Sequence, residues 1–148
     1  MMYLSEHFTL EELSITSHSD LRARNGAYAR KNVSRLQALA KDVLEPCRAI
    51  LGPMVITSGC RCPELNKRVG GSPRSQHCLC EAADFIPSKV PLKAAFDLIR
   101  KSGIQYGQLI LERVSGVEWI HISLGEPYRP KSRCNQALVY DGKKYKAV

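Results

Sequence analysis

Ser75-Gln76-His77-Cys78-Leu79-Cys80-Glu81-Ala82-Ala83-Asp84 is the stretch on which the fold turns. It sets a histidine and an aspartate seven positions apart, and Ala82, Ala83, Phe85 and Ile86 surround the aspartate. An odd separation puts two side chains on opposite faces of an unbroken strand. His77 and Asp84 can therefore share a ligand only if the chain turns between them. That predicts His77 on a loop and Asp84 within a strand over Ala82–Ile86. A carboxylate among apolar neighbours needs a partner: a metal ion, or a salt bridge to one of the arginines. His77 alone has the plainer reading of a surface histidine.

Further on, Glu118-Trp119-Ile120-His121 supplies a second histidine with a glutamate three residues ahead of it. Two imidazoles and one aspartate make a three-ligand site for a divalent ion such as zinc. The fourth tetrahedral position is then left for water, the arrangement of catalytic rather than structural zinc. Glu118 is the spare carboxylate, a candidate general base. Trp119, Ile120 and Ile122 favour a strand here, so Glu118 serves only if it sits at an irregular start of that strand. Trp119 is assigned to the core. Arg61 follows Ser58-Gly59-Cys60 at the end of the β-branched run Met54–Thr57. A guanidinium there can hold a substrate carboxylate or a developing oxyanion; the alternative is a solvated surface arginine.

Outward from these motifs, Thr9 and Glu12 read as a capping box for a short helix ending near Leu13. The polar run from Ser14 to Lys31 reads as a surface loop. Val33, Leu36, Ala40, Val43, Leu44 and Cys47 recur at helical spacing, with Pro46 kinking or ending that helix. Met54–Thr57 predicts a buried strand, and Pro63 opens a brief helix that Gly70-Gly71 ends. Leu92, Ala95, Phe96 and Ile99 lie on one face of a helix opened by Pro91. Gln108–Leu111 and Trp119–Ser123 are strand candidates, and Ala137 to Tyr145 reads as a hairpin turning at Asp141-Gly142. Helices first and strands later predict one α+β domain over residues 1–148, with a small, mostly antiparallel sheet.

The composition, 44% hydrophobic and 24% charged over 148 residues, is that of an ordinary globular chain. No apolar run approaches the ~20 residues of a membrane span. The N-terminus shows no signal-peptide pattern, so synthesis in the cytoplasm is expected, with action outside only after release. The net charge of +8 favours anionic partners such as a bacterial cell wall. With 7% aromatics and scattered basic residues, a specific nucleic-acid surface is not expected. Six cysteines without an export signal are read as reduced, packed thiols, with disulfides or a metal site as alternatives.

Taken together, these pieces resemble one family. Ser75-x-His77-x-x-Cys80-x-Ala82-x-Asp84 closely resembles the S-x-H-x-x-G-x-A-x-D signature of the D-alanyl-D-alanine carboxypeptidase family of zinc peptidases, which shares its fold with the Hedgehog signalling domain. Glu118–His121 resembles that family's E-x-x-H element, and Ser58–Arg61 its S-G-x-R element. Pro63–Ser72 and Gly107–Glu112 are similar to its compact branch, encoded by phages and bacteria.

The resemblance implies His77, Asp84 and His121 as zinc ligands, one ion per chain. Glu118 is the implied base, and Arg61 the implied cation orienting the scissile peptide. Ser75 and Gln108 are the implied substrate contacts. It further implies a monomeric hydrolase of peptidoglycan stem peptides, either a D,D-carboxypeptidase or an L-Ala–D-Glu endopeptidase, of the kind phages use for lysis. The departure is Cys80, which stands where the pattern has glycine. A glycine there commonly supplies a positive φ, which cysteine tolerates poorly. That keeps a second expectation open: a metal-binding, wall-binding or virion protein on the same fold, without turnover.

Overall fold

The computed structural model describes residues 1–148. Six strands make one sheet: β1 (Met54–Ser58), β2 (Ala82–Pro87), β3 (Gln108–Val114), β4 (Val117–Ser123), β5 (Gln136–Tyr140) and β6 (Tyr145–Ala147). Their spatial order is β1-β2-β4-β3-β5-β6. Every neighbouring pair is antiparallel except β3 with β5. The architecture is the α+β one that the sequence predicts.

Strand alternation divides the sheet into two unlike faces. One carries Ile56, Ala83, Phe85, Leu109, Ile120 and Ile122, all buried in the main core. Helix α5 (Leu92–Lys101) lays Ala95, Phe96 and Ile99 into that core and packs against β2, β3 and β4. Its apolar residues recur at i, i+1 and i+4, which makes one stripe. Truncating Phe85 or Phe96, neither exposed at all, would cost about 3–5 kcal/mol. The opposite face carries the alternate residues Asp84, His121, Ile110 and Glu112, and it is the floor of a cleft.

Two helical features depart from the sequence reading. The stretch read as a loop over Ser14 to Lys31 instead holds a 3-10 turn (Ser19–Leu21) and helix α1 (Arg22–Lys31). Most of α1 faces solvent, so no apolar periodicity betrays it; Asn25 and Ala29 alone are buried. Asn25 anchors the helix with polar bonds: its amide donates to Ser14 O and Cys60 O and accepts from Cys62 N–H.

The second departure is at Pro46, which neither ends its helix nor breaks it. Helix α2 (Val33–Leu39) runs through a π-helical turn (Ala40–Leu44) into α3 (Glu45–Leu51). Proline lacks an N–H and crowds the preceding turn. The wider turn ahead of Pro46 is where the chain absorbs both.

Around Thr9 the capping box forms, with Glu12 N–H donating to Thr9 Oγ1 at 3.2 Å and Thr9 N–H to Glu12 Oε1 at 3.1 Å. It caps a 3-10 turn (Glu12–Ser14). This segment seats the loop after β1: Cys60 N–H donates to Leu13 O at 2.7 Å. Gly59 permits that approach, because a Cβ there would lie 2.4 Å from Leu13 O. No helix is long and apolar enough to cross a membrane.

Candidate metal centre and its cleft

His77 lies on the turn between helix α4 (Pro63–Arg68) and β2, and Asp84 lies inside β2, so the chain does turn between them. Asp84 stands directly opposite His121 on β4. His77 Nε2 approaches Asp84 Oδ1 to 3.2 Å, and His121 Nδ1 approaches the same oxygen to 3.0 Å. The two rings meet edge to face at 5.2 Å between centroids. All three prospective ligand atoms lie within 4.8 Å of one another. His77 and His121 are buried.

The far nitrogen of each ring shows what the near ones can do. His77 Nδ1 sits 2.7 Å from the Gly59 carbonyl oxygen, and His121 Nε2 sits 3.0 Å from Gln76 Oε1. Carbonyl oxygens only accept, so both of these nitrogens carry the proton in the neutral rings. The nitrogens facing Asp84 then present lone pairs to a carboxylate. Such an arrangement is repulsive unless a cation sits between them. Tying the outer N–H of a ligating histidine to a carbonyl is also how metal sites fix the tautomer and aim the ring. The donor set, two imidazoles and one carboxylate, suits zinc and related divalent ions. At Asp84, burial works to raise the carboxyl pKa, and positive charge on the His77–His121 side, from protonated imidazoles or from a cation held between them, lowers it below the usual range. No arginine pairs with it; the groups that approach its carboxylate are the two imidazoles.

Around this centre lies a cleft of about 610 Å³. Arg61, Ser75, Gln76, Gln108, Glu112 and Trp119 line it. Arg61 N–H donates to His77 O at 3.0 Å, which binds its loop to the histidine turn. Burial lowers the Arg61 pKa, with Asp84 opposing, and its Nε is buried without a partner. Gln76 Nε2 is likewise a buried, unpartnered donor on the cleft, and Trp119 Nε1 is buried there beside the Glu112 carboxylate. Unpartnered N–H groups around one centre suit a ligand rich in carbonyl or carboxylate oxygen. Ser75 Oγ accepts from His77 N–H at 3.2 Å and so shapes the turn. Gln108 donates through Nε2 to Gln136 Oε1 at 3.2 Å.

Glu118, the base expected from its spacing, is not in this cleft. The β3–β4 ladder runs unbroken from Val114↔Val117 through Arg113↔Glu118 to Leu109↔Ile122, so no irregularity swings Glu118 round to the face of His121. Its carboxylate pairs instead with Arg113 at 3.0 Å, exposed, on the opposite face. Glu112 is the glutamate that lies on the face of His121 and lines the cleft. It faces Trp119 across the ladder and senses both His121 and Asp84. Burial raises its pKa first, His121 offsets part of that, and Asp84 adds to it.

Trp119 likewise lines the cleft, half-buried, rather than the core. Alternation from His121 could have found both: Trp119 is two residues away, and Glu112 is its cross-strand neighbour. For Gln76 the spacing carried no signal.

The cysteines also depart from expectation. Cys60 and Cys80 form a disulfide, while Cys47, Cys62, Cys78 and Cys134 are free thiols. The bridge joins the loop carrying Gly59 and Arg61 to the turn carrying His77. Cys80 has φ +56°, so the turn keeps the left-handed backbone expected of a glycine.

No curated protein sequence matches the chain. A sequence model of the family described as Peptidase M15 matches residues 6–123, a span that holds the whole His77–Asp84–His121 cluster together with Arg61 and Glu112, and the chain belongs to that family of metallopeptidases.

Proposed function

We propose that this chain is a zinc-dependent peptidase that hydrolyses amide bonds in peptidoglycan stem peptides. The observation that carries the reading is the convergence of His77, Asp84 and His121, whose ligand atoms all lie within 4.8 Å of one another. Gly59 O and Gln76 Oε1 hold the outer nitrogens of His77 and His121, so the inner nitrogens and Asp84 converge as three ligands. His77, Asp84 and His121 would hold a zinc ion, which would supply Lewis acidity to a carbonyl and to water.

The chain's own groups do the rest. Glu112 takes the proton of the attacking water on its carboxylate and returns it to the departing amine nitrogen. Arg61, with its unpartnered Nε, faces the oxygen on which negative charge develops or a substrate carboxylate. Gln76 Nε2 is a further donor to peptide carbonyls, and Ser75 and Gln108 border the bound chain. The charge of +8 draws the protein to an anionic wall. A wall-lysing role of the phage type fits this charge.

The reading without turnover rested on Cys80 in a glycine position; the turn there keeps a glycine's left-handed backbone, which supports the reading with turnover. The test is digestion of purified peptidoglycan by the zinc-loaded chain, with released fragments identified by mass. New amine and carboxyl ends within the stem support the reading, and their positions identify the bond. Intact peptidoglycan after prolonged incubation with a fully metal-loaded chain would overturn it.

A further inference from the structure

The cleft extends past the metal centre along a row of side chains that the metal chemistry does not use. Trp119 stands opposite Glu112, Glu112 opposite Tyr140, and Tyr140 opposite Tyr145, on four successive strands. Directly opposed residues share a face, so this row lies on the side of the sheet that bears His121. Tyr140 and Tyr145 meet ring to ring at 4.4 Å between centroids, and Tyr145 is 58% exposed. Both tyrosines lie beyond the residues that the family model matches.

The cleft is also electrically lopsided. The chain holds 22 lysines and arginines, yet Arg61 is the one that lines the cleft. Arg61 follows β1 at one edge of the sheet, and Tyr145 is on β6 at the other edge. Among the cleft-lining residues on the Tyr145 side, the charge comes from the Glu112 carboxylate, which Arg61 also senses, and from the negative faces of aromatic rings. Lys144 and Lys146 flank Tyr145 in the sequence but do not line the cleft. The Tyr145 phenol is raised first by burial and then by Glu112, so the two groups are close enough to interact. Ring faces beside a carboxylate attract a cation and repel an anion.

We propose that Tyr140 and Tyr145 form a subsite for a primary ammonium side chain of the peptide substrate, at the end of the cleft opposite Arg61. It rests on the peptidase reading and specifies its substrate: a peptide with a carboxylate toward Arg61 and a diamino-acid residue toward Tyr145. The geometry allows this. Three strand spacings, about 14 Å, separate the metal ligand His121 on β4 from Tyr145 on β6, which is the reach needed from the scissile bond to the subsite. One or two extended residues and a four-carbon side chain span about that distance.

The test uses two matched stem peptides, one with its side-chain amine free and one with that amine acetylated, offered to the zinc-loaded chain. The free amine should raise kcat/KM by roughly 3- to 30-fold. Tyr145→Leu should bring that ratio close to one, while Tyr145→Phe, which keeps the ring face, should preserve it. If neither peptide is cut, the peptidase reading has failed, and equilibrium binding of the same two peptides still decides the subsite. Equal affinity for the two peptides would overturn the proposal, as would a preference that survives Tyr145→Leu. Discrimination only by an attached sugar would make the pair a glycan platform, and would overturn it too.

Discussion

Glu112 and Trp119 face each other across β3 and β4, two residues along from the pair Ile110 and His121, and so share the face of the metal centre. Arg113 and Glu118, one step along the same ladder, share the opposite face. Substituting each glutamate separates the two positions cleanly. Glu112→Gln should lower kcat by roughly 10²- to 10⁴-fold. Glu118→Gln should stay within about twofold, because it loses only an exposed ion pair of small worth. Steady-state release of peptide ends from peptidoglycan measures both.

The pKa of Glu112 bears on activity and on stability with opposite signs. As a base it must be ionised, so activity should fall as pH drops through the pKa of Glu112 in the zinc-loaded chain, which the nearby dication would set below the raised metal-free value. For stability, a carboxyl whose folded pKa exceeds its unfolded one favours folding when protonated, and that contribution is lost as pH rises through the folded value. At neutral pH the buried charge therefore costs stability, and metal-free Glu112→Gln should melt higher than the parent. Thermal unfolding at pH 7 without metal checks it; a lower melting temperature would contradict the assigned burial.

The ligands should be tested by metal content as well as by turnover. The parent should bind about one zinc per chain, and Asp84→Asn or His121→Ala should lose it. Zinc at 100 times its Kd should stabilise the folded chain by about 2.7 kcal/mol, a gain that chelator removes. Gln76→Ala should weaken metal binding by roughly 10- to 100-fold, because it releases the outer nitrogen of His121. Competition against a chromogenic chelator gives the affinities.

The bridge closes a loop with a sequence separation of 20, for which chain entropy gives about 3 kcal/mol. Cys60→Ser/Cys80→Ser should lose about that much. Cys60→Ala/Cys80→Gly should lose less, because glycine relieves the left-handed backbone at position 80. Denaturant titration compares the two.

Alkylation reports the remaining thiols. Unfolded without reductant, the chain should take up four labels, at the four free cysteines. When it is folded at pH 8, Cys47 should stay unlabelled, because burial removes access and pushes its pKa up to about 12. Mass spectrometry counts the labels.

Much of the scaffold was legible because its signals are local. The apolar runs Met54–Thr57 and Ala82–Ile86, the stripe Leu92–Ile99 and the capping box at Thr9 each read out within a few residues. Helix α1 was not legible, since a solvent-facing helix held by Asn25 leaves no apolar period. Nor was the passage through Pro46, where a π turn replaces the expected break.

By itself, the sequence determined which residue types were available for a metal: His77, Asp84 and His121 in motifs that hold their order and spacing. It also determined that the chain must turn between His77 and Asp84, because parity within a strand is a local property. Only the tertiary structure decided which carboxylate joins them. Strand register is set between segments far apart in the chain, and a difference of one position sends a side chain to the other face. That register puts Glu112 in the cleft and Glu118 outside it, brings Gln76 and Gly59 against the two imidazoles, and joins Cys60 to Cys80.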